Sequence, residues 1–293
     1  NDTIGVTMEG AGPTYGYVYS NDISVTGGAG IDTISVTVHG DLTSPRGDYN
    51  YAYAADHSVN VSGDSGDDAI TVDVLATAVG GDNSATNAGN TVNVDGGTGA
   101  DTINVTLAAS ATSYYAYLSN NSVSASGGVG ADTISLALSA IGGEEGGIYN
   151  NTVTMVGGTA SDTAGDSLSL SIGGASWITS NAITMAGGGG ADTLSVTVSL
   201  ASDSTDNGLY DNTLTMTGGG GNDTLSFTVL GATEASNNSV VMDGGAGDDV
   251  ITAAVSATGR GNSVDLIGGA GNDILTGGLA DDRLAGGTGD DVL

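Results

Sequence analysis

The chain of 293 residues carries 34 acidic side chains against three basic ones, a formal net charge of −31, and it contains no cysteine. This charge excludes nucleic-acid binding and docking on anionic lipid, because both need a basic surface, and the lack of cysteine excludes disulfides and thiol chemistry. A compact fold with this charge repels itself unless cations neutralise it, so a metal cation is the first partner to expect. No stretch reaches the roughly 18 apolar residues that a membrane span requires, so membrane insertion is not expected.

The first predicted element is a strand in "NDTIGVT", which matches the second half of a repeat that returns along the chain. The first complete copy, "GGAGIDTI" at 27–34, has the pattern Gly-Gly-x-Gly-x-Asp-x-apolar. We therefore expect a segment of a longer repetitive protein. Further copies lie at 63–70, 96–103, 127–134, 187–194, 218–225 and 244–251, a degraded copy covers 157–168, and three contiguous nine-residue units fill 268–293.

The spacing of the copies predicts a solenoid. The motif aspartates recur about every 30 residues until the interval falls to nine in the tail. Residues beside each turn alternate apolar and polar, which is typical of strands with one buried face. We expect an all-β parallel solenoid in which 1–267 forms coils of about 24–36 residues with one motif turn each, and 268–293 continues it as contiguous nonapeptides.

A column of asparagines lies six residues before the first motif glycine of each copy. Asparagine tolerates left-handed backbone geometry, and its amide can bond the copies above and below it in a stack. We therefore predict a structural ladder at a bend of the coil, interrupted only by His57. Its members are Asn21, Asn90, Asn121, Asn151, Asn181, Asn212, Asn238 and Asn262.

The motif turn has the chemistry of a calcium site. Its glycines allow several carbonyls to point at one place, and the aspartate carboxylate can reach the same place. Ca²⁺ takes about six to eight such oxygens, whereas transition metals prefer His or Cys and Mg²⁺ needs stricter geometry. The alternative, a solvated acidic edge, leaves carboxylates about 4.8 Å apart with nothing to offset their repulsion. We predict calcium at Asp32, Asp68, Asp101, Asp132, Asp162, Asp192, Asp223, Asp249, Asp273, Asp282 and Asp291.

The tail "GGAGNDILTGGLADDRLAGGTGDDVL" at 268–293 and the spaced copies resemble the haemolysin-type nonapeptide repeat of RTX proteins. The resemblance implies a right-handed parallel β-roll with Ca²⁺ between stacked turns, type I secretion, and folding in extracellular calcium. It also implies that carbonyls of Gly268 and Ala270 act with Asp273 opposite the turn at 286–289. The carbonyl ligands implied are those of Gly27, Gly30, Gly63, Gly66, Gly96, Gly99, Gly127, Gly130, Gly187, Gly190, Gly218, Gly221, Gly244, Gly247, Gly268, Ala270, Gly271, Gly277, Gly286 and Gly289.

The chain departs from this family in three ways. Rolls of the family carry two motif turns in each coil of about 18 residues, so two calcium rows are expected only in the tail, and a single row with irregular loops opposite elsewhere. Asp64 replaces the second glycine of one copy, and Ala160 and Ala280 replace the third. An insertion in the degraded copy leaves Asp162 and Asp166 in competition for one site.

An aromatic stripe precedes the asparagine column. Residues three before the column, such as Val18 and Leu118, are apolar, so side chains four before it are expected to face outward. The stripe either packs across strands to stabilise an outer sheet, or binds a glycan or a neighbouring molecule. The outward positions hold Tyr17, Tyr53, Tyr117 and Trp177.

The composition of the polar positions favours a structural role over catalysis. Enzymes on parallel β-helices cluster acids and bases around paired carboxylates. Here only His39, His57 and Arg46 add mixed chemistry, and nearly every Asp belongs to a turn. We therefore expect no enzyme but a calcium-folded solenoid of an extracellular or cell-surface bacterial protein: an adhesin stalk, a surface-layer component or a filament that self-associates end to end or side by side. The alternative is the accessory RTX domain of a type I-secreted toxin or enzyme whose active domain lies outside this segment.

Overall fold

The fold is a parallel β-solenoid with three sheets. The computed structural model describes residues 1–43, 50–201, 207–255, 260–278 and 282–293, and within these ranges it contains strands, turns and loops but no helix. No described segment is therefore a helix long and apolar enough to cross a membrane. Arg46 and Ala280, named above, lie outside the described residues. The predicted all-β parallel solenoid is confirmed.

Each full coil contributes one strand to each sheet. Sheet 1 holds the strands that follow the motif turns: β1 (Thr3–Gly12), β4 (Thr33–Thr43), β7 (Ala69–Val79), β10 (Thr102–Ala111), β13 (Thr133–Ile141), β16 (Ser167–Gly173), β19 (Thr193–Ser199), β22 (Thr224–Leu230), β25 (Val250–Val255) and β27 (Ile274–Thr276). Sheet 2 holds β2 (Tyr15–Tyr19), β5 (Asn50–Ala55), β8 (Asn83–Ala88), β11 (Tyr115–Ser119), β14 (Glu145–Tyr149), β17 (Trp177–Thr179), β20 (Gly208–Tyr210) and β23 (Glu234–Ser236). Sheet 3 holds the strands that enter the motif turns: β3 (Asp22–Ala29), β6 (Ser58–Ser65), β9 (Thr91–Thr98), β12 (Ser122–Val129), β15 (Thr152–Gly158), β18 (Ala182–Gly189), β21 (Thr213–Gly220), β24 (Ser239–Ala246), β26 (Ser263–Ala270) and β28 (Asp282–Thr288).

The core follows from the register of these sheets. Neighbouring strands pair in parallel and stack equivalent residues, as in the column Ile34, Ile70 and Ile103 of sheet 1. Because side chains alternate between the two faces of a strand, one face of every strand points into the solenoid. The inward Val, Ile, Leu, Met and Ala side chains form one continuous buried cluster from Val18 to Leu275. Burial of a large apolar side chain contributes roughly 1.5–3 kcal/mol, so stacking of coils is the main source of stability.

Sheet 2 corrects one expectation. Irregular loops are predicted opposite the motif turns, and the structure places eight paired strands there. The signal is the short alternation before the asparagine column: Val18 and Leu118 are buried, whereas Tyr17 is exposed. Three to six residues suffice for each strand because the coils above and below hold it in register.

The asparagine ladder closes the bend between sheets 2 and 3. Oδ1 of Asn151 accepts the backbone N–H of Asn121 at 3.0 Å, and its Nδ2 donates to the Leu118 carbonyl at 3.0 Å. Equivalent bonds repeat in the coils that follow. The left-handed backbone conformation expected of the column residues belongs instead to the residue before each of them, as at Asn150 (φ 57°). The side-chain amides of the column therefore bond one coil to the next, and the residue before each of them adopts the left-handed conformation that makes the turn.

His57 performs the task of an asparagine in this ladder. Its Nδ1 accepts the Asn21 N–H at 3.2 Å, and its Nε2 lies 3.1 Å from the Val18 carbonyl oxygen. A backbone N–H only donates and a carbonyl only accepts, so the ring is neutral with its proton on Nε2. Burial lowers the pKa of His57, in keeping with this state.

Candidate calcium sites

The motif aspartates form a second ladder, at the bend between sheets 3 and 1. Oδ1 of Asp68 accepts the backbone N–H of Asp32 at 2.7 Å, and Asp101 accepts the N–H of Asp68 in the same way at 2.7 Å. Ten such bonds follow one another along the solenoid. We call this set the aspartate column: Asp2, Asp32, Asp68, Asp101, Asp132, Asp166, Asp192, Asp223, Asp249, Asp273 and Asp291.

Most of these carboxylates use only one of their two oxygens in hydrogen bonds within the described residues. Within the described residues, Oδ2 of nine column side chains is buried and has no hydrogen-bond partner: Asp32, Asp68, Asp101, Asp132, Asp166, Asp192, Asp223, Asp249 and Asp273. Burying a charged oxygen without a partner is strongly unfavourable. A proton or a cation is therefore needed at each of these positions.

The first motif glycine brings a carbonyl oxygen close to that Oδ2. A Cβ at Gly96 would lie 2.5 Å from Asp101 Oδ2 and 2.5 Å from the Gly127 carbonyl oxygen of the next coil. The two oxygens are thus no more than about 5 Å apart, within reach of one Ca²⁺ at about 2.3–2.6 Å from each. Any side chain at Gly96 would fill this space. The same convergence recurs at Gly63, Gly218 and Gly268.

Seven column carboxyls have a pKa raised above the ordinary value of an aspartate: Asp68, Asp101, Asp132, Asp166, Asp192, Asp223 and Asp249. Burial is the largest cause, charge on neighbouring column members adds to it, and the accepted backbone N–H opposes it. These effects raise the pKa of Asp132 and Asp223 to about 7 and that of Asp166 and Asp249 to about 6. Near neutral pH, protons would therefore compete with a bound cation for these four carboxylates.

Backbone carbonyls must supply most of any calcium shell. No group of three His, Cys, Asp or Glu side chains able to hold a metal occurs in the described part of the chain. Carbonyls of the first motif glycine lie beside the carboxylates, as at Gly127. Carbonyls of the third motif glycine instead face the third glycine of the next coil. A Cβ on Gly66 would therefore collide with the Gly30 carbonyl. The Ala270 carbonyl accepts the Gly247 N–H at 2.7 Å. The ligand role of these last carbonyls stays a prediction.

The degraded copy corrects the predicted column at one residue. The repeat spacing predicts Asp162, but Asp166 accepts the Asp132 N–H at 2.8 Å and donates its own N–H to the next column member. Asp162 instead accepts the Gly130 N–H at 2.9 Å and the Ala164 N–H at 3.0 Å. The inserted residues form a wider turn, which places Asp162 against backbone donors outside the column.

The tail winds into a shorter coil. The Asp273 N–H donates to Asp291 Oδ1 at 3.0 Å, across 18 residues, and Ile274 pairs with Val292. Asp282 lies at the start of β28, away from the aspartate column, and its Oδ1 is buried without a partner among the described residues. Its Oδ2 approaches Gly277 as column carboxylates approach their first glycine. A second calcium row beginning here stays a prediction.

Comparison with protein families agrees with this geometry. Residues 215–226, 239–254 and 265–293 match the model of the RTX calcium-binding nonapeptide repeat, in four copies. The chain carries RTX repeats. An upstream turn has a backbone conformation similar to that of a matched turn: φ is 107° and 132° at Gly97 and Gly99, against 116° and 123° at Gly219 and Gly221 inside the match. Searches of curated proteins and of solved structures give no match.

The remaining predicted residues lie elsewhere on the solenoid. Tyr17 and Trp177 are 39% and 37% exposed on the outer face of sheet 2, and Tyr53 and Tyr117 are half-buried on the same face. His39 lies in sheet 1, where its Nε2 is 3.0 Å from Thr77 Oγ1. The aromatic residues therefore lie on a different sheet from those that the motif turns connect.

Proposed function

We propose that the chain is a calcium-rigidified structural solenoid of an extracellular or cell-surface protein, such as an adhesin stalk, a surface-layer component or a filament. The observation that carries the proposal is the row of nine buried, partnerless Oδ2 atoms in the described residues. Five of them, in Asp32, Asp68, Asp101, Asp223 and Asp273, face the same space as a glycine carbonyl of the neighbouring coil. RTX calcium-binding repeats typically belong to type I-secreted extracellular proteins, and millimolar extracellular calcium suits such sites.

Each residue of the repeat has a task in this proposal. Oδ1 of the column aspartate ties its coil to the previous one, as Asp101 does for Asp68. Oδ2 and the first-glycine carbonyl hold the ion between coils, and the glycine leaves room for both oxygens. When bound, calcium supplies positive charge that offsets the column and links adjacent turns. Folding is then coupled to calcium binding.

A structural role, rather than a catalytic one, agrees with how the polar side chains are used. His57 belongs to the asparagine ladder, and His39 contacts Thr77. The core and the aspartate column run along the ten stacked strands of sheets 1 and 3, and the asparagine ladder runs beside them between sheets 2 and 3. At about 4.8 Å for each coil, such a stack is a rod roughly 45 Å long. Calcium would make the rod stiff outside the cell.

Two measurements test this function. Small-angle X-ray scattering should show a rod about 45 Å long in calcium and an expanded chain in EDTA at pH 8. Flow dialysis should show that Asp166→Asn binds fewer calcium ions than the wild type, whereas Asp162→Asn, the matched control outside the column, binds the same number. Identical scattering in both solutions, or loss of calcium in the Asp162 variant alone, would contradict the proposal.

A further inference from the structure

The outer face of sheet 2 carries a cluster of exposed tyrosines at its first two strands. Exposed fractions are 54% for Tyr15, 39% for Tyr17, 44% for Tyr19 and 38% for Tyr51. Tyr53 completes the cluster, which we call the tyrosine platform. Aromatic side chains grouped on a surface mark binding sites more often than isolated ones. None of these residues takes part in the calcium-binding turns.

The platform is one continuous surface. The ring of Tyr17 lies at its centre, with centroid distances of 5.0 Å to Tyr15, 5.5 Å to Tyr19 and 5.1 Å to Tyr53. Tyr19 and Tyr53 stack at 5.9 Å with an interplanar angle of 29°, and Tyr51 contacts Tyr53 at 6.0 Å. Burial among these rings raises the pKa of Tyr17 to about 12, so its hydroxyl keeps its proton and can donate.

The solenoid does not need this platform in order to stack. In β8, the next strand of sheet 2, Ser84 and Thr86 stand opposite Tyr51 and Tyr53, and the pairing continues in the same register. Sheets 1 and 3 carry no tyrosine, tryptophan or phenylalanine on their outer faces within the described strands. Cross-strand packing alone therefore gives no reason to concentrate five tyrosines in two coils.

Charge and area limit what the platform can bind. The net charge of −31 and the absence of lysine disfavour anionic glycans, nucleic acid and anionic lipid. The exposed ring surface is roughly 300–400 Å², about half of the ~800 Å² that each partner buries in a stable protein interface. This area suits a few sugar rings.

We propose that the tyrosine platform binds a neutral polysaccharide. The apolar faces of pyranose rings pack on aromatic rings, and sugar hydroxyls exchange hydrogen bonds with the phenol groups at the edges. The exposed faces of Tyr15, Tyr17 and Tyr19 offer three adjacent stacking positions along one strand. This binding is independent of whether the parent protein is an adhesin or a filament, and it requires only that the solenoid is folded.

Affinity gel electrophoresis in calcium tests the proposal. Gels contain hydroxyethylcellulose, laminarin, dextran or galactomannan, with polygalacturonate as the acidic control. We expect at least one neutral polysaccharide to retard the protein, and Tyr17→Ala/Tyr53→Ala to raise Kd by about tenfold or more. Tyr17→Phe/Tyr53→Phe keeps the rings and should retain most of the binding. The matched control, Ser35→Ala/Thr71→Ala on the outer face of sheet 1, should bind as the wild type does.

Folding and self-association are measured in parallel. Circular dichroism in calcium must show the same β signal for every variant. If the alanine pair does not fold, Tyr15→Ala provides the readout, because Tyr15 is 54% exposed, and it should weaken the retardation. Absence of retardation by all four neutral polysaccharides, or equal retardation of folded wild type and alanine pair, would overturn the proposal. So would a dimer in sedimentation velocity that the alanine pair abolishes, because the platform would then belong to a second copy of the chain.

Discussion

Replacing Asp132 by asparagine should stabilise the protein without calcium and destabilise it with calcium. An asparagine Oδ1 can still accept the Asp101 N–H, which Oδ1 of Asp132 accepts at 2.7 Å. The substitution removes the charge of a carboxylate whose Oδ2 is buried without a partner in the described structure. The sign of the effect therefore depends on whether a cation is present.

The raised pKa of Asp132 sets the magnitude and the pH window. Its folded-state pKa of about 7, against an ordinary 3.8, means that the folded state binds the proton more tightly than the unfolded chain does. The stability contributed by the protonated group is therefore complete below about pH 4 and is lost as the pH rises through about 7. At about 1.4 kcal/mol for each pKa unit the loss is at most about 4 kcal/mol. Relaxation of the turn and entry of water around the charged carboxylate reduce this, and we expect about 2 kcal/mol.

Urea unfolding followed by circular dichroism measures this difference. At pH 8 in EDTA the Asp132 variant should be about 2 kcal/mol more stable than the wild type, and at pH 4 about equal to it. In saturating calcium it should be the less stable of the two. Asp73→Asn removes the same charge from the outer face of sheet 1 and should change stability little in either solution.

If the calcium-free protein is unfolded at pH 8, its folding on acidification measures the same difference in stability. The pH at which it folds on acidification should then be higher for the Asp132 variant than for the wild type. If the variant is destabilised in EDTA at pH 8 as much as in calcium, the reasoning about the buried Oδ2 is refuted.

Three further substitutions test the space at the first motif glycine and the asparagine ladder. Gly96→Ala places a Cβ between two oxygens and should lower the free energy of unfolding by about 2 kcal/mol or more in calcium. The control Gly220→Ala, whose Cβ meets no atom within 4 Å, should change it by less than about 0.5 kcal/mol. Equal effects would show that the space at Gly96 is not needed for two oxygens. The lowered pKa of His57 means that the stability contributed by the neutral ring is present above its ordinary pKa and is lost as the pH falls. His57→Asn should therefore be more stable to heat than the wild type below about pH 6. Melting temperatures of the two proteins that change in parallel with pH would contradict this. Asn151→Ala leaves a buried backbone N–H without its acceptor and should cost about 2–3 kcal/mol in urea unfolding; a loss below about 0.5 kcal/mol would mean that the ladder does not stabilise the stack.

The main columns of the fold could be predicted because their signals are local and repeat. Period-two alternation identifies the inward faces of strands, and identical spacing places equivalent residues on top of one another, as for Ile34 and Ile70. The asparagine ladder follows from the same spacing. These features depend only on neighbours a few residues away in each coil, so one sequence is enough to identify them.

Features that depend on the path between the columns could not be predicted. Asp162 keeps the regular interval along the chain, but four extra residues widen its turn and Asp166 reaches the column instead. The left-handed residue is displaced by one, to positions such as Ser20 and Asn150, because the column amide is needed between coils. The regular strands of sheet 2 are too short for their pattern to be distinguished from that of a loop.

In the proposed function, calcium offsets the charge of the aspartate column and thereby folds the solenoid. Far-UV circular dichroism of the EDTA-treated chain at pH 8 during a calcium titration tests it most directly, with magnesium titrated in parallel. We predict a cooperative gain of β signal with calcium and little with magnesium at the same concentrations. An EDTA-treated chain that already has its full β signal at pH 8, and that calcium neither changes nor stabilises against heat, would contradict the account.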